Sequence, residues 1–166
     1  MKNRIIVITL LFMIISNTLT GQIIYDFKLK DAGNHWRKYS ELKGAKLTII
    51  DFWATWCSPC IKAFPKLNAI YDKYQNDGVQ FIGLNIDSPK NNAKIKPFIK
   101  THKIAYPVLK DPNSQVASRL NITNVPTLLI INSKYEIIYR HQGYRSGDEQ
   151  IIEAEIIKLL KESNDD

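Results

Sequence analysis

Cysteine is scarce in this chain of 166 residues, which has only Cys57 and Cys60. A structural zinc site of the four-cysteine type needs twice that number, and His35, His102 and His141 show no ligand spacing. Two cysteines so close together close a loop too short to remove much entropy from the unfolded chain. We therefore expect no metal site and no cofactor, and we attribute the cysteine pair to chemistry rather than to stability.

Acidic residues are also few, with 16 Asp and Glu against 23 Lys and Arg, which gives a net charge of +7. The basic residues are scattered along the chain rather than clustered, and no nucleic-acid-binding motif accompanies them, so we expect no nucleic-acid partner. The sequence has no repeats and no low-complexity segment. Its 45% hydrophobic and 23% charged residues are ordinary for a globular protein, and its length suits one domain with a proper core.

A long apolar run is missing as well, although a short one lies near the N-terminus. Residues 5–15 are apolar but fall short of the ~20 residues that span a bilayer. Lys2 and Arg4 precede this run and a small, polar segment follows it, an order typical of a secretory signal peptide. We predict a signal peptide over residues 1–21, with an uncleaved membrane anchor as the alternative, and a single domain over residues 22–166.

Export of this kind predicts a location in the periplasm or cell envelope, where disulfides can form. Contact with the membrane is then expected only through the N-terminal segment, if that segment is not cleaved.

Strand and helix patterns alternate along the rest of the chain. Residues 47–53 and 79–87 are mostly apolar and β-branched, as in strands that are covered on both faces. Apolar residues at helical spacing follow each of them, and Pro65 is expected to kink the first helix. The order predicts an α/β fold with a mixed central sheet. The predicted strands are 25–30, 36–39, 47–53, 79–87, 106–109, 127–131 and 136–140, and the predicted helices are 61–74, 94–102, a short helix capped by 111–114 and ending at 120, and 148–161.

The two cysteines lie between the strand at 47–53 and the helix at 61–74, a position typical of a thiol–disulfide redox site. Residues three apart in a helix are neighbours, close enough for a disulfide. Free N–H groups at a helix N-terminus favour negative charge and so lower the pKa of Cys57. We predict that Cys57 attacks as a thiolate and that Cys60 resolves the mixed disulfide. Pro59 suits the first turn, where a missing N–H costs nothing.

Two stretches carry a family resemblance, residues 51–60 (DFWATWCSPC) and residues 125–127 (VPT). The first resembles the active-site stretch of thioredoxins and the second resembles their cis-proline loop. The leading hairpin, segment 40–44, the insert through 110–112 and the signal peptide resemble the exported TlpA/ResA-like branch. The resemblance implies a thioredoxin fold, in which helices flank a mixed sheet, with an N-terminal β-hairpin and a central α/β insertion.

The same resemblance implies a substrate surface around the cysteines. Pro126 would be cis and pack against the disulfide, and the backbone of Val125 would pair with an extended substrate. Trp56 would cover the thiolate, and Gly143 would lie near the same surface. The predicted substrate-binding residues are Trp56, Pro59, Val125, Pro126 and Thr127.

Two positions depart from the TlpA/ResA-like pattern. Many of those proteins have Asn where this chain has Asp51, and Glu where it has Ala63, whereas thioredoxins proper have Asp at the first position. We predict that Asp51 accepts the proton of Cys60, because a carboxyl group buried in a strand has a raised pKa that suits this task. The alternative is a partly exposed and passive Asp51.

The resemblance implies a monomeric thiol–disulfide oxidoreductase of the cell envelope. It would reduce disulfide-bearing protein substrates and be regenerated by an upstream dithiol donor, although the direction depends on the reduction potential. One alternative is a thiol peroxidase, which would need Thr at the position of Ala54 and Pro at that of Ile50. Another is a copper- or haem-related chaperone that uses the same fold as a binding module.

Overall fold

One mixed sheet runs through the computed structural model, which describes residues 21–163. Its strands are β1 (Lys28–Asp31), β2 (Trp36–Lys38), β3 (Leu47–Trp53), β4 (Val79–Asn85), β5 (Val108–Lys110), β6 (Thr127–Asn132) and β7 (Ile137–Gln142). The helices are α1 (Tyr39–Leu42), α2 (Ser58–Tyr74), α3 (Asn92–Thr101), α4 (Gln115–Arg119) and α5 (Asp148–Glu162).

The strands are arranged in the order β2-β1-β5-β4-β3-β6-β7. β3, β4 and β5 are parallel to one another, while β1 and β6 join them antiparallel. The carboxyl ends of β3, β4 and β5 therefore share one edge of the sheet, from which the loop to Cys57 departs. The predicted mixed sheet with a leading hairpin is confirmed.

β3 is buried along its whole length because both faces of the sheet are covered. Ile49 and Trp53 face a core formed with α2 and α5, and the alternating residues Ile50 and Phe52 face a second core formed with α1 and α4. A strand buried on both sides has no polar alternation, which explains the nearly continuous apolar pattern. The first of these faces lies under the cysteines.

Some predicted element ends were wrong. β4 ends at Asn85 rather than at residue 87, because Asn85 forms the last pairs with the neighbouring strands and Asp87 instead exchanges hydrogen bonds with the side chain of Asn85. Tyr39 starts α1 instead of ending β2, and its ring is buried in the second core. α2 begins at Ser58, three residues before the predicted start, because Cys57 caps it, and the helix continues through Pro65.

The described chain enters the domain beside the start of β7. The N–H of Ile24 donates to the carbonyl of Tyr135 at 2.8 Å, and the N–H of Ile137 donates to the carbonyl of Gln22 at 2.9 Å. β6 ends here, with Asn132 paired to Leu47 at the start of β3, so this end of the sheet is opposite the cysteines. Within residues 21–163 no helix is both long and apolar enough to cross a bilayer. Except for Gly21, the predicted signal peptide lies outside the described residues.

Candidate active site

The two cysteines form a disulfide at the start of α2, with an S–S distance of 2.02 Å and a Cα–Cα distance of 5.3 Å. Cys57 is the N-cap residue, and its Sγ accepts a hydrogen bond from the N–H of Cys60 at 3.2 Å. Pro59 occupies the first turn of the helix. The sulfur of Cys57 therefore lies where unpaired N–H groups and the helix dipole stabilise negative charge, as the sequence predicts.

Burial hardly distinguishes the two cysteines in this oxidised form, since Cys57 is 3% exposed and Cys60 is 1% exposed. Trp56, by contrast, is 65% exposed although it directly precedes the disulfide. The asymmetry of the pair thus comes from the position in the helix, because only the sulfur of Cys57 caps α2.

The loop before β6 is fixed from two sides. The Val125–Pro126 peptide bond is cis, the geometry that the resemblance implies. The carbonyl of Pro126 accepts a hydrogen bond from the N–H of Gly143 at 2.8 Å, and Gly143 has a φ of +81°, which favours glycine. Thr127 starts β6, and its hydroxyl donates to the carbonyl of Asn124 at 2.7 Å. Val125 is partly buried and packs against both cores.

Asp51 lies within β3, on the same face as Ile49 and Trp53, which pack in the core that holds both cysteines. It is 2% exposed, so the alternative of a partly exposed Asp51 is wrong. The hydroxyl of Tyr106 donates to its Oδ2 at 2.9 Å. Burial raises the pKa of Asp51 to about 7, and the hydrogen bond from Tyr106 acts in the opposite direction.

Gly83 makes room for this buried pair. It is the residue of β4 that pairs with Asp51. A Cβ there would come within 2.9 Å of Nε1 of Trp53, which is closer than Cβ atoms approach other atoms, and within 3.3 Å of Cε2 of Tyr106, which is a tight contact. Tyr106 was not among the predicted site residues, because its segment was predicted only as extended chain. Its meeting with Asp51 depends on the pairing of β4 with β5, which local sequence patterns do not reveal.

A second buried carboxylate fixes the loop before the cysteines. Asp87 is fully buried and accepts hydrogen bonds from the N–H of Thr55 at 2.8 Å and from its hydroxyl at 2.9 Å. The side-chain amide of Asn85 donates to the same carboxylate at 2.7 Å. The chain just after β4 thereby holds Thr55, two residues before Cys57. The sequence contained a signal for this contact, because Asn85 and Asp87 are polar residues at the carboxyl end of an otherwise mostly apolar predicted strand.

The histidines have different surroundings. His141 contacts the carboxylate of Asp148 at 3.1 Å, and the ring of His102 lies 4.1 Å from that of Phe98. Among residues 21–163 no group of three or more His, Cys, Asp or Glu side chains is arranged to hold a metal ion.

A profile of the AhpC/TSA family matches residues 20–140. The chain belongs to the AhpC/TSA family. Among its relatives, the sporulation thiol-disulfide oxidoreductase A of Bacillus subtilis (strain 168) is 34% identical over 57% of this chain and 58% of that protein. The thiol-disulfide oxidoreductase ResA of Geobacillus kaustophilus (strain HTA426) is 30% identical over 70% of this chain and 66% of that protein.

This member of the AhpC/TSA family thus spans about three fifths to two thirds of those two relatives. A crystal structure from Chlorobium tepidum, described as a candidate thiol:disulfide interchange protein DsbE, superposes with a TM-score of 0.76 at 28% identity. The match covers 85% of this chain and 97% of that one. The thioredoxin fold expected from the resemblance is confirmed.

Proposed function

We propose that the protein is a thiol–disulfide oxidoreductase that reduces disulfides in other proteins. The disulfide that caps α2 carries this proposal, since a bridged cysteine pair at a helix N-terminus is a reactive arrangement rather than a stabilising one. The names of the two bacterial relatives support it. Ala54 and Ile50 occupy the positions where a thiol peroxidase would need Thr and Pro, which favours a disulfide over a peroxide as the substrate.

The reaction runs in two exchanges. In the dithiol form, the Cys57 thiolate attacks a client disulfide, forms a mixed disulfide and releases one client thiolate. Cys60 then loses its proton and attacks Sγ of Cys57, which releases the second client thiolate and leaves the disulfide seen here. The client gains two electrons and the protein loses two. An upstream dithiol donor restores the starting form.

Asp51 takes the proton of Cys60 in the second exchange. The pKa of about 7 that burial gives this carboxyl group makes it an effective base near neutral pH. Its position on the cysteine-bearing face of β3 supports this role, and the Tyr106 hydroxyl stabilises the charged form by a hydrogen bond.

The client binds across the disulfide and the loop before β6. Trp56 contributes an exposed indole, and Pro59 borders the disulfide in the first turn of α2. Val125 offers its backbone to an extended client chain, while Pro126 and Thr127 hold that loop in place.

The protein acts as a monomer.

Export to the periplasm or cell envelope places this chemistry where client disulfides form. Lys2, Arg4 and the apolar run at 5–15 supply the export signal.

Trapping of the mixed disulfide tests the proposal. A Cys60→Ser variant expressed in the native host should accumulate proteins linked to Cys57, whereas a Cys57→Ser/Cys60→Ser control should hold none. The wild-type dithiol form should also reduce insulin. If the single variant traps nothing and the wild type does not reduce insulin, the proposed function is wrong. Reduction of hydrogen peroxide by the wild type, without reduction of insulin, would support the peroxidase instead.

A further inference from the structure

A pocket of about 280 Å³ lies beside the β1–β2 hairpin, apart from the disulfide. The hairpin forms one wall, and the start of α3 and the chain after β5 form the other. Trp36 is 58% exposed on this hairpin, which is unusual for so large an apolar side chain. The principal residues that line the pocket are Lys28, Lys30, Trp36, Asn92, Lys110 and Asp111.

The pocket is strongly basic. The ammonium groups of Lys28 and Lys30 lie over the Trp36 ring, 5.6 Å and 5.2 Å from its centroid. Lys30 is directly opposite Lys110 in the sheet, and Lys28 is directly opposite Lys38. Like charges in such cross-strand positions destabilise a sheet. In the part of the chain that the structure describes, none of these four lysines forms an ion pair with a carboxylate.

The acidic groups near the pocket are already engaged by backbone N–H groups. The carboxylate of Asp111 accepts three such hydrogen bonds at the start of α4, at 2.8–3.0 Å. The carboxylate of Asp31 accepts two within the hairpin turn, at 2.8 and 2.9 Å. Lys110 is only 7% exposed and donates to the side-chain oxygen of Asn34. Both carboxylates keep their charge, and Asp31 attracts Lys110 electrostatically, so Lys28 and Lys30 are the lysines left for an external anion.

The pocket is aligned with the redox site across the sheet. Strand pairing places Trp36, Lys30, Lys110, Asn85 and Trp53 in one cross-strand row, which ends on the strand that leads to Cys57. With strands about 4.8 Å apart, β1 and β2 lie roughly 14 and 19 Å from β3. An extended chain covers about 3.3 Å per residue, so about four to six residues span the distance from the hairpin to β3, the strand whose following loop carries Cys57.

We propose that this pocket binds an acidic segment of the disulfide-bearing client, about four to six residues from the cysteine that Cys57 attacks. The inference rests on the proposed function. Lys28 and Lys30 meet the client carboxylates, and Trp36 packs on the methylene groups beside them. The side-chain oxygen of Asn92 is buried and accepts no hydrogen bond within residues 21–163, so a peptide N–H suits it and a free inorganic anion does not.

Two synthetic disulfide peptides test the preference. One carries three Glu residues at positions four to six from its cysteine, and the other carries three Gln residues there. The rate constant for reduction by the dithiol form should be roughly three- to tenfold higher for the Glu peptide at low salt, and the difference should shrink at about 0.5 M salt. A Lys28→Gln/Lys30→Gln variant should lose this preference. A Lys158→Gln/Lys161→Gln control, with the same charge change on α5, should keep it.

Binding without redox chemistry separates this inference from the proposed function. A cysteine-free Glu peptide added to the oxidised protein should shift the indole N–H resonance of Trp36 in the wild type and the control, but not in the Lys28→Gln/Lys30→Gln variant. Such binding supports the pocket even if no disulfide peptide is reduced, in which case only the proposed function fails. Equal reduction of both peptides without a Trp36 shift overturns the pocket and leaves the function standing. If citrate binds as tightly as the peptide, the pocket is a small-anion site and the client segment is wrong.

Discussion

An Asp51→Asn variant should become more stable relative to the wild type as the pH rises. The pKa of Asp51 is about 7 in the folded protein, against a usual value of 3.8. Between these two values the native state holds a proton that the unfolded chain has released, so the free energy of unfolding falls as the pH rises. The stability that the wild type gains from the protonated Asp51 is fully present below pH 3.8 and is lost above about pH 7.

The size of the effect follows from the width of this window. Each pH unit costs the wild type about 1.4 kcal/mol of stability, which amounts to about 4 kcal/mol over the whole range. The Asn variant has no proton to release at this position. Its side-chain amide has to find hydrogen-bond partners in the core, but any cost of this does not depend on pH. The difference in unfolding free energy between variant and wild type should therefore move by about 4 kcal/mol toward the variant from about pH 4 to about pH 8.

Urea denaturation of the oxidised proteins, followed by far-UV circular dichroism at several pH values, measures this difference. The other titrating groups are common to both proteins and cancel in the comparison. Asp72→Asn, at an exposed position of α2, serves as the control for the loss of one carboxylate. A change below about 1 kcal/mol for Asp51→Asn across the same range would show that the carboxyl group titrates normally, and the proposed base would lose its physical support.

Three further substitutions test the groups around the site. Tyr106→Phe removes the hydrogen bond to the charged form of Asp51, so the pKa of that carboxyl group should rise above about 7, as measured by carboxyl-carbon NMR; an unchanged midpoint would contradict this. Asp87→Asn should lower the unfolding free energy by about 1–3 kcal/mol in urea, and a loss no larger than that of Asp72→Asn would show that the Thr55 contacts contribute little. Gly83→Ala should cost about 1–3 kcal/mol through overpacking, and a thermal midpoint equal to that of the wild type would refute the crowding seen in the structure.

The sequence was most informative where local physics decides the structure. The apolar run of β3 and the helical spacing after Cys60 predicted the strand, the helix and the position of Cys57 between them. The turn at residues 111–114 also predicted a cap for α4, and the carboxylate of Asp111 does accept the first N–H groups of that helix. Each of these features depends on residues only a few positions apart.

Contacts between distant strands were beyond the reach of such patterns. The hydrogen bond from Tyr106 to Asp51 joins residues 55 positions apart, and that from Thr55 to Asp87 joins residues 32 apart. Both depend on the order of β3, β4 and β5 in the sheet. A buried Asp in β3 could be anticipated from its apolar neighbours, but its partner could not.

The attachment of residues 22–24 beside β7 determines how the domain is presented to its surroundings. Any segment that precedes Gly21 leaves from the end of the sheet where β3 starts. The seven residues of β3 then separate this exit from the cysteine end by roughly 20 Å. A tether at that exit would therefore be attached on the side of the domain away from the cysteines, which would leave the proposed client surface free of the anchoring surface.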